Sequence, residues 1–448
     1  LSKSKGLIDE EDIDHVIDYR CPTCSKCQEC QESNKLKTMS LQEKREQAII
    51  EKSVQVDLDA GKVFVDLPFI EDPIIYLTKR HKGSDNYYQA LKAYKSQCKK
   101  SEDVKKNIAL VQKDLVDRGF MVKLENLPEK TQDLIRKAGF RHYYTWKSVE
   151  KDSVSTPVRL VVDPTITGLN LILAKGENKL NKIPAIMIRA RCRPLMWIAD
   201  VSKLYNCLHL NDSSLPYSLF LFNESMELDK EPQIWVMTRA WYGVLSSGNQ
   251  SGFALYDIAV KQQDERPEAV EVVRDDTYVD DTVSGAFAQE EVDTQVNNTR
   301  LSLSKGGFHF KYVAYLGCPP PENSSSDGVS LSVLGYKWNP QEDILGLGFQ
   351  EVNFNKKIRG VKKKNPFPVI TADDVSKLAR SSAPITRKTI ISKLAEMYDP
   401  CGFFEPYKLQ LKLDAIELNG LDWDKPLNEQ LQNHWSVSTK HCTRCNAK

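Results

Sequence analysis

No stretch of this sequence approaches the roughly 18–20 consecutive apolar residues that a membrane-spanning helix requires. The N-terminus, LSKSKGLIDEEDIDHV, lacks the apolar centre of a secretory signal. Both absences lead to the expectation of an intracellular, cytoplasmic chain with no membrane partner. An excess of one charge is also missing: 62 Lys and Arg against 61 Asp and Glu leave a net charge of +1. Whole-chain charge therefore neither demands nor excludes a polyanionic partner, and only local patches bear on that question. There is no Asp-Thr-Gly or Asp-Ser-Gly, no Ser/His/Asp arrangement in a recognisable context, no internal repeat and no extended low-complexity tract. Eleven cysteines in 448 residues are too sparse and irregular for a disulfide framework. They read as thiols, in part metal-binding, in a reducing compartment.

What is present is an ordinary globular composition, 41% apolar and 27% charged, long enough for several packed units. The first residue is Leu, which points to a segment of something longer. Residues 1–35 are polar and carry Cys21, Cys24, Cys27 and Cys30. Residues 36–130 read as a helical N-terminal region: LQEKREQAIIEKSVQ, YYQALKAYKSQ and VKKNIALVQKDLVDRG space apolar residues at three and four. Gly119 and Gly139 stand as helix stops, and the apolar runs VFVDLPFI and MVKLENL interrupt the helical pattern. From about 141 the texture changes. TPVRLVVDPT reads as a strand ended by a proline turn, LMWIADVSKLY as a strand running into a short helix, and PQIWVMTRAWYGV as a long strand. GNQSGFALYDIAVKQ and EEVDTQVNNTRLSLSKGG read as helices, SVLGYKWNPQEDIL as a hairpin, and RKTIISKLAEMYD as a further helix.

The segment TYVDDTVSG (277–285) holds two adjacent carboxylates, Asp280 and Asp281, among β-forming residues. Two ionised carboxylates in an apolar strand repel each other and are costly to desolvate unless a cation neutralises them. The expected arrangement is a hairpin tip with one aspartate on each side of the turn; a merely solvated tip is the plainer reading. Hard oxygen ligands suit Mg²⁺, which takes one or two protein carboxylates and completes its shell with water and phosphate oxygens. A two-metal site for nucleotidyl transfer needs a further carboxylate from a neighbouring strand. Asp200, at the end of the apolar run Leu195 to Ala199, offers one, eighty positions upstream of Asp280.

Asp200 with Tyr205, WYGVLSSGNQSG (241–252), YVDD (278–281) and VLGYKW (333–338), in that order, resemble the motifs of reverse transcriptases. The wider set PVRLVVDPT, WIADVSKLYNCLHL, GGFHFK and ITRKTIISKLAEMYDPCGFFEP is similar to the polyprotein of Pao, also called Bel, long-terminal-repeat retrotransposons. The resemblance implies an α+β right-hand polymerase, with an antiparallel palm sheet backed by helices. Fingers and palm would lie in 131–345 and a thumb or connection in 346–448. It implies RNA-directed DNA polymerase activity on a primed RNA or DNA template with deoxynucleoside triphosphates. Asp200, Asp280 and Asp281 would be catalytic and would hold two Mg²⁺ ions, for which Mn²⁺ can substitute, with the Val201 carbonyl as a further ligand. Arg159, Tyr205, Tyr242 and Gly243 would form the nucleotide pocket, with Tyr205 set against a ribose 2′-hydroxyl. Leu334, Gly335 and Tyr336 would be the primer grip, and Lys311, or Lys305, the general acid for pyrophosphate. Partners would be the other polyprotein segments, protease, RNase H and integrase, in a virus-like particle or intracellular retroelement complex. The chain beyond 435 is too short for an RNase H. Where many Pao-like sequences carry proline after two serines, Gly248 follows Ser246 and Ser247 here, which implies a looser turn.

Three features stand apart from the resemblance. CPTCSKCQEC (21–30) has the spacing C-x2-C-x2-C-x2-C, which fits one tetrahedral Zn²⁺, an unmetallated thiol cluster or the leading part of an iron–sulfur motif. His441, Cys442 and Cys445 are either a second partial site or a frayed tail. KKIRGVKKK (356–364) has six basic residues in nine and either tracks a nucleic-acid backbone or lies solvated. Two alternatives to the polymerase are a catalytically inactive or domesticated scaffold that binds nucleic acid or proteins, and a polyprotein-processing peptidase.

Overall fold

A computed structural model describes residues 41–150, 158–322, 324–325, 327–347, 385–396, 398–403 and 405–435. The cysteine run at 21–30, the basic run at 356–364 and His441, Cys442 and Cys445 lie outside these residues. Among the described residues no helix is long and apolar enough to cross a membrane. The fold is mixed α and β and divides into two compact units. The first takes residues up to 182 and from 189 to 313; the second takes 183–188 and 314 onward.

At the centre of the first unit is a sheet whose strands run in the spatial order Thr277–Tyr278, Asp281–Ala286, Leu195–Val201 and Phe310–Tyr315. The strands Leu195–Val201 and Asp281–Ala286 pair antiparallel over six residues, with Asp200 opposite Asp281 and Ile198 opposite Val283. Leu195–Val201 is rich in apolar residues because both faces are covered, with Met196, Trp197, Ile198 and Ala199 buried, while Asp281–Ala286 buries Val283 together with the small hydroxyl residues Thr282 and Ser284. The helix Gln289–Ser304 packs directly on these two strands, burying Val292, Val296 and Leu303. The Trp197 indole N–H donates to Gln295 Oε1 at 2.9 Å, which gives the buried ring a polar partner. The helices Ser247–Val260 and Pro267–Asp275 stack behind Gln289–Ser304. Pro267 opens the second of them, a position where its missing N–H costs nothing.

The helical region expected at 36–130 is corrected in one respect: it is not a separate layer. Its helices are there, at Leu41–Lys52, Pro73–Arg80, Tyr87–Cys98 and Glu102–Asp117. The interrupting runs, however, are strands of the first unit. Lys62–Val65 pairs parallel with Leu208–Leu210, Val63 opposite Leu208, and Met121–Lys123 pairs antiparallel with Gln233–Met237. Val63, Val65 and Met121 are fully buried in the same core as Leu208 and Val236. The reason is hydrophobic: short alternating runs cannot bury both faces without strands from elsewhere in the chain. The long strand expected over PQIWVMTRAWYGV is only Gln233–Met237, after which the chain turns. A hairpin, Trp146–Glu150 with Val158–Val162, sets Arg159 opposite Val149.

The second unit contains a meander, Leu331–Val333, Tyr336–Asn339 and Ile344–Leu347. Val333 pairs with Tyr336, so Leu334 and Gly335 form a two-residue turn with φ of +47° and +94°, the twist that favours a tight hairpin. Tyr336 is buried. Its hydroxyl donates to Asp399 Oδ1 and accepts from the Cys401 N–H, both at 2.8 Å. The helices Arg387–Glu396 and Glu405–Ile416 share a small apolar core with Ile385, Leu427 and Trp435. Counting from 314, this unit starts earlier than the boundary expected at 346, because the meander folds with the C-terminal helices through the Tyr336 hydroxyl.

Candidate active site

The hairpin at 277–286 has its turn at Val279 and Asp280, since Tyr278 pairs with Asp281. The expectation of one aspartate on each side of the turn is therefore corrected. Asp280 is in the turn and Asp281 is the first residue of the outgoing strand. Val279 has φ +57°, an unfavourable region for a β-branched residue. The Val201 N–H donates to the Asp280 carbonyl at 2.8 Å, which ties the turn to the end of the Asp200 strand. The side chains of Thr277 and Thr282, opposite each other one step along, are 3.1 Å apart at Oγ1 and close the base of the turn.

Below the turn the hairpin is held by a buried carboxylate. Asp276 accepts from Arg189 Nε at 2.9 Å and from Ser284 Oγ at 2.6 Å, and Arg193 Nη1 lies 3.6 Å away. The Val283 N–H donates to the Asp276 carbonyl at 2.9 Å. Sequence reasoning passed over Asp276; its sign in the sequence is a second acidic pair, Asp275 and Asp276, just upstream of Asp280 and Asp281.

The electrostatics of the three aspartates reflect crowding in a partly buried place. Asp281 is pushed up to about 7, first by burial and then by Asp280 and Asp200. Burial also raises Asp200, opposed by Lys311 and reinforced by Asp280. Lys311 Nζ is 3.7 Å from Asp200 Oδ2. Lys305, the other candidate, instead caps the C-terminus of the helix Gln289–Ser304. Tyr312, next to Lys311 on the strand beside that of Asp200, is raised first by burial and then by all three aspartates. Nothing in its local sequence marked it out.

The candidate nucleotide residues come together around Tyr242. The rings of Tyr205 and Tyr242 meet edge to face at 5.0 Å, and the Arg159 guanidinium sits 5.7 Å from the Tyr242 ring centre. Asp280 contributes to raising both phenols, after burial. Gly243 has φ +102°, and a Cβ there would stand 2.6 Å from the Val162 carbonyl oxygen, so the chain passes hard against the Arg159 strand. Asn170 pins the same stretch, donating from Nδ2 to the Gly243 carbonyl at 2.8 Å and accepting the Leu245 N–H at 3.0 Å. Gly248 is not in a loose turn: it lies in the first turn of the helix Ser247–Val260. Glycine and proline both fit there because the first N–H groups of a helix have no internal partner. A Cβ at Gly248 would sit 3.8 Å from the Tyr205 hydroxyl. Leu334, Gly335 and Tyr336 belong to the second unit and form its hairpin turn.

Among the described residues no three His, Cys, Asp or Glu side chains close on one point as a metal cage. The donor set nonetheless fits a hard divalent cation. Such an ion needs only one or two protein carboxylates, and the crowding that raises Asp281 is what a cation would relieve.

Residues 386–448 match the family model described as the Pao retrotransposon-like RNaseH-like domain. That match begins 49 residues before 435, within the stretch expected to be thumb or connection. No curated protein matches the chain. Among solved structures it is similar to foamy viral protease-reverse transcriptase. In the complex with RNA/DNA hybrid the identity is 15% and the TM-score 0.46, covering 76% of this chain and 37% of that one. In the complex with dsDNA the identity is 15% and the TM-score 0.45, covering 75% and 57%. The chain thus spans less than two thirds of the solved chains it matches. The family match covers residues 386–448 alone, and the ordered motifs from Asp200 to Trp338 resemble those of Pao/Bel-type retrotransposon reverse transcriptases.

Proposed function

We propose that this chain is an RNA-directed DNA polymerase, a nucleotidyltransferase that extends a primer 3′-hydroxyl with deoxynucleotides on an RNA or DNA template. One observation carries the reading: Asp200 and Asp281 are register partners on adjacent strands, with Asp280 in the turn beside them, and the Asp280 charge acts on Tyr205 and Tyr242, which group with Arg159. In this reading the central sheet and its helices are the palm, the Trp146–Glu150 and Val158–Val162 hairpin belongs to the fingers, and the unit that begins at 314 carries the thumb or connection.

Asp200, Asp280 and Asp281, with the Val201 carbonyl, would hold two Mg²⁺ ions, or Mn²⁺ in their place. When bound, the metals supply a lowered pKa for the attacking hydroxyl and charge neutralisation on the triphosphate. The protein does the rest by position. Arg159 offers a planar fork of donors to phosphate oxygens, held over an aromatic face. Tyr205 forms a wall against a ribose 2′-hydroxyl, and its edge contact with Tyr242 keeps that wall in place. Lys311, whose Nζ lies 3.7 Å from Asp200 Oδ2, would pass a proton to the leaving pyrophosphate. The Leu334–Tyr336 turn would grip the primer. Zn²⁺ at Cys21, Cys24, Cys27 and Cys30 belongs to the same reading, as do a cytoplasmic virus-like particle and the protease, RNase H and integrase segments as partners.

The test is extension of a DNA primer on an RNA template with Mg²⁺ and four deoxynucleotides. Asp280→Asn should reduce the rate more than about 100-fold, beyond the loss usual for a partner outside the metal's ligands. Extension by Asp280→Asn at the wild-type rate would sink the assignment of the cluster.

A further inference from the structure

A second surface of the first unit has a chemistry that the carboxylate cluster does not use. The fourteen residues Tyr87–Lys100, YYQALKAYKSQCKK, contain four lysines and no carboxylate, in a chain whose charges otherwise balance to +1. Twelve of them form the helix Tyr87–Cys98. Tyr88, Leu91, Lys92, Lys95, Ser96 and Lys99 line an open groove of about 400 Å³. Their spacing of three and four puts them on one face of the helix.

The opposite face is fixed. Tyr94 is fully buried, and Gln97 Oε1 accepts from the Ser148 N–H at 3.0 Å and from its hydroxyl at 2.9 Å. At the N-terminus Asn86 exchanges two hydrogen bonds with the Tyr143 backbone, both 2.7 Å. The helix is thereby held against the strand Trp146–Glu150, whose partner strand carries Arg159.

On the next helix in the chain, Glu102–Asp117, the cations are paired with the exception of Lys106, which forms no ion pair among the described residues. Lys105 pairs with Glu102 at 2.5 Å, Lys113 with Asp117 at 2.6 Å, and Arg118 beyond its end with Asp114 at 2.7 Å. Lys92, Lys95, Lys99 and Lys100 form no ion pair among the described residues. The acids that flank the segment, Asp85 and Glu102, are engaged by Arg141 at 2.9 Å and by Lys105 at 2.5 Å. Tyr88 adds a flat ring that is 81% exposed. A membrane surface would need an apolar stripe, and here only the partly buried Leu91 is apolar between the lysines.

We propose that the outer face of this helix, from Tyr88 through Lys92 and Lys95 to Lys99, is a docking track for single-stranded nucleic acid, separate from the catalytic cluster. The lysines take backbone phosphates and release their counterions, while the Tyr88 ring stacks on a base without regard to sequence. Tyr88 to Lys99 spans about 16 Å along the helix at about 1.5 Å per residue. Because the helix is anchored to the Arg159 hairpin, a strand held here has a fixed path relative to that hairpin. Binding on this face does not depend on polymerisation.

The experiment is fluorescence anisotropy of a labelled single-stranded RNA oligonucleotide across a salt series, with the full chain. It compares wild type, the triple variant Lys92→Gln/Lys95→Gln/Lys99→Gln, Tyr88→Ala and Asp280→Asn. The triple variant should flatten the slope of log affinity against log salt by about two, at roughly 0.7 per phosphate contact on a single strand. Tyr88→Ala should weaken binding at least about fivefold, the low end for one stacked base. Asp280→Asn should bind like wild type, so loss of catalysis and loss of this track are read separately. Of the substituted side chains Tyr88, Lys92, Lys99 and Asp280 are exposed and Lys95 is half-buried, and matching circular dichroism and melting would exclude misfolding. An unchanged slope in the triple variant overturns the proposal. So does displacement of the RNA by poly-glutamate as effectively as by unlabelled oligonucleotide, which would mark an acceptor for acidic proteins.

Discussion

Asp281 is the residue in which the chemistry of the site is most concentrated. An ordinary aspartate is ionised well below neutrality, yet here burial and two neighbouring carboxylates push it up to about 7. In the metal-free protein the folded state therefore keeps a proton that the unfolded chain has already released. That favours folding at low pH, and the advantage is lost as pH rises from the ordinary carboxylate range through about 7. A divalent cation reverses the preference by demanding the ionised form. Calorimetric titration of Mg²⁺ at pH 7, in two buffers of different ionisation enthalpy, should show release of roughly half a proton, and nearer one at pH 6. Equal apparent heats in the two buffers would mean that the cluster is already ionised.

At the scale of elements, local pattern and distant pairing separate cleanly. The hairpin around Asp280 was legible because β-forming residues flank two that cannot be buried, and the helices at 87–98, 102–117, 247–260 and 289–304 because apolar residues recur at three and four. Asp200 was legible as the charged end of an apolar run. Unreadable was which strands lie together: Lys62–Val65 joins Leu208–Leu210 across some 145 residues, and no local period encodes a partner. The helix Pro267–Asp275 and the strand Phe310–Tyr315 also went unseen, and with the latter Tyr312, since valine-rich or short segments carry weak helical or strand signatures. The placement of Asp280 within the turn depended on pairing of Tyr278 with Asp281, a one-residue matter that composition does not decide. One element contact lends itself to a direct test. In Gly243→Ala the new methyl meets the Val162 carbonyl at 2.6 Å while the backbone stays at φ +102°. The two effects together should cost about 2–4 kcal/mol, seen as a lower urea midpoint. A midpoint unchanged from wild type would mean that the Arg159 strand simply backs away.

For the molecule as a whole, near-neutrality is the governing fact: a net charge of +1 leaves little repulsion between copies at pH 7. Light scattering at low ionic strength should therefore show more self-association near pH 7 than at pH 9, where the chain carries net negative charge. A flat profile would mean that specific surfaces govern association instead of net charge. The same balance makes the uncompensated lysines of Tyr87–Lys100 stand out, because their field is not part of a general positive surface.

The six-residue pairing of Leu195–Val201 with Asp281–Ala286 has a consequence for how this sequence can change over generations. Successive side chains along a strand face opposite ways, so deleting one residue between Leu195 and Ala199 would turn Asp200 away from Asp281 while leaving the count of aspartates intact. The loops between residue 202 and residue 276 carry no such constraint, and length added there leaves the pairing untouched. Relatives should therefore vary freely in the interval between the first aspartate and the pair, yet keep invariant lengths within the two strands. A copy with all three aspartates and one lost strand residue would look alive in its motifs and be dead in its geometry.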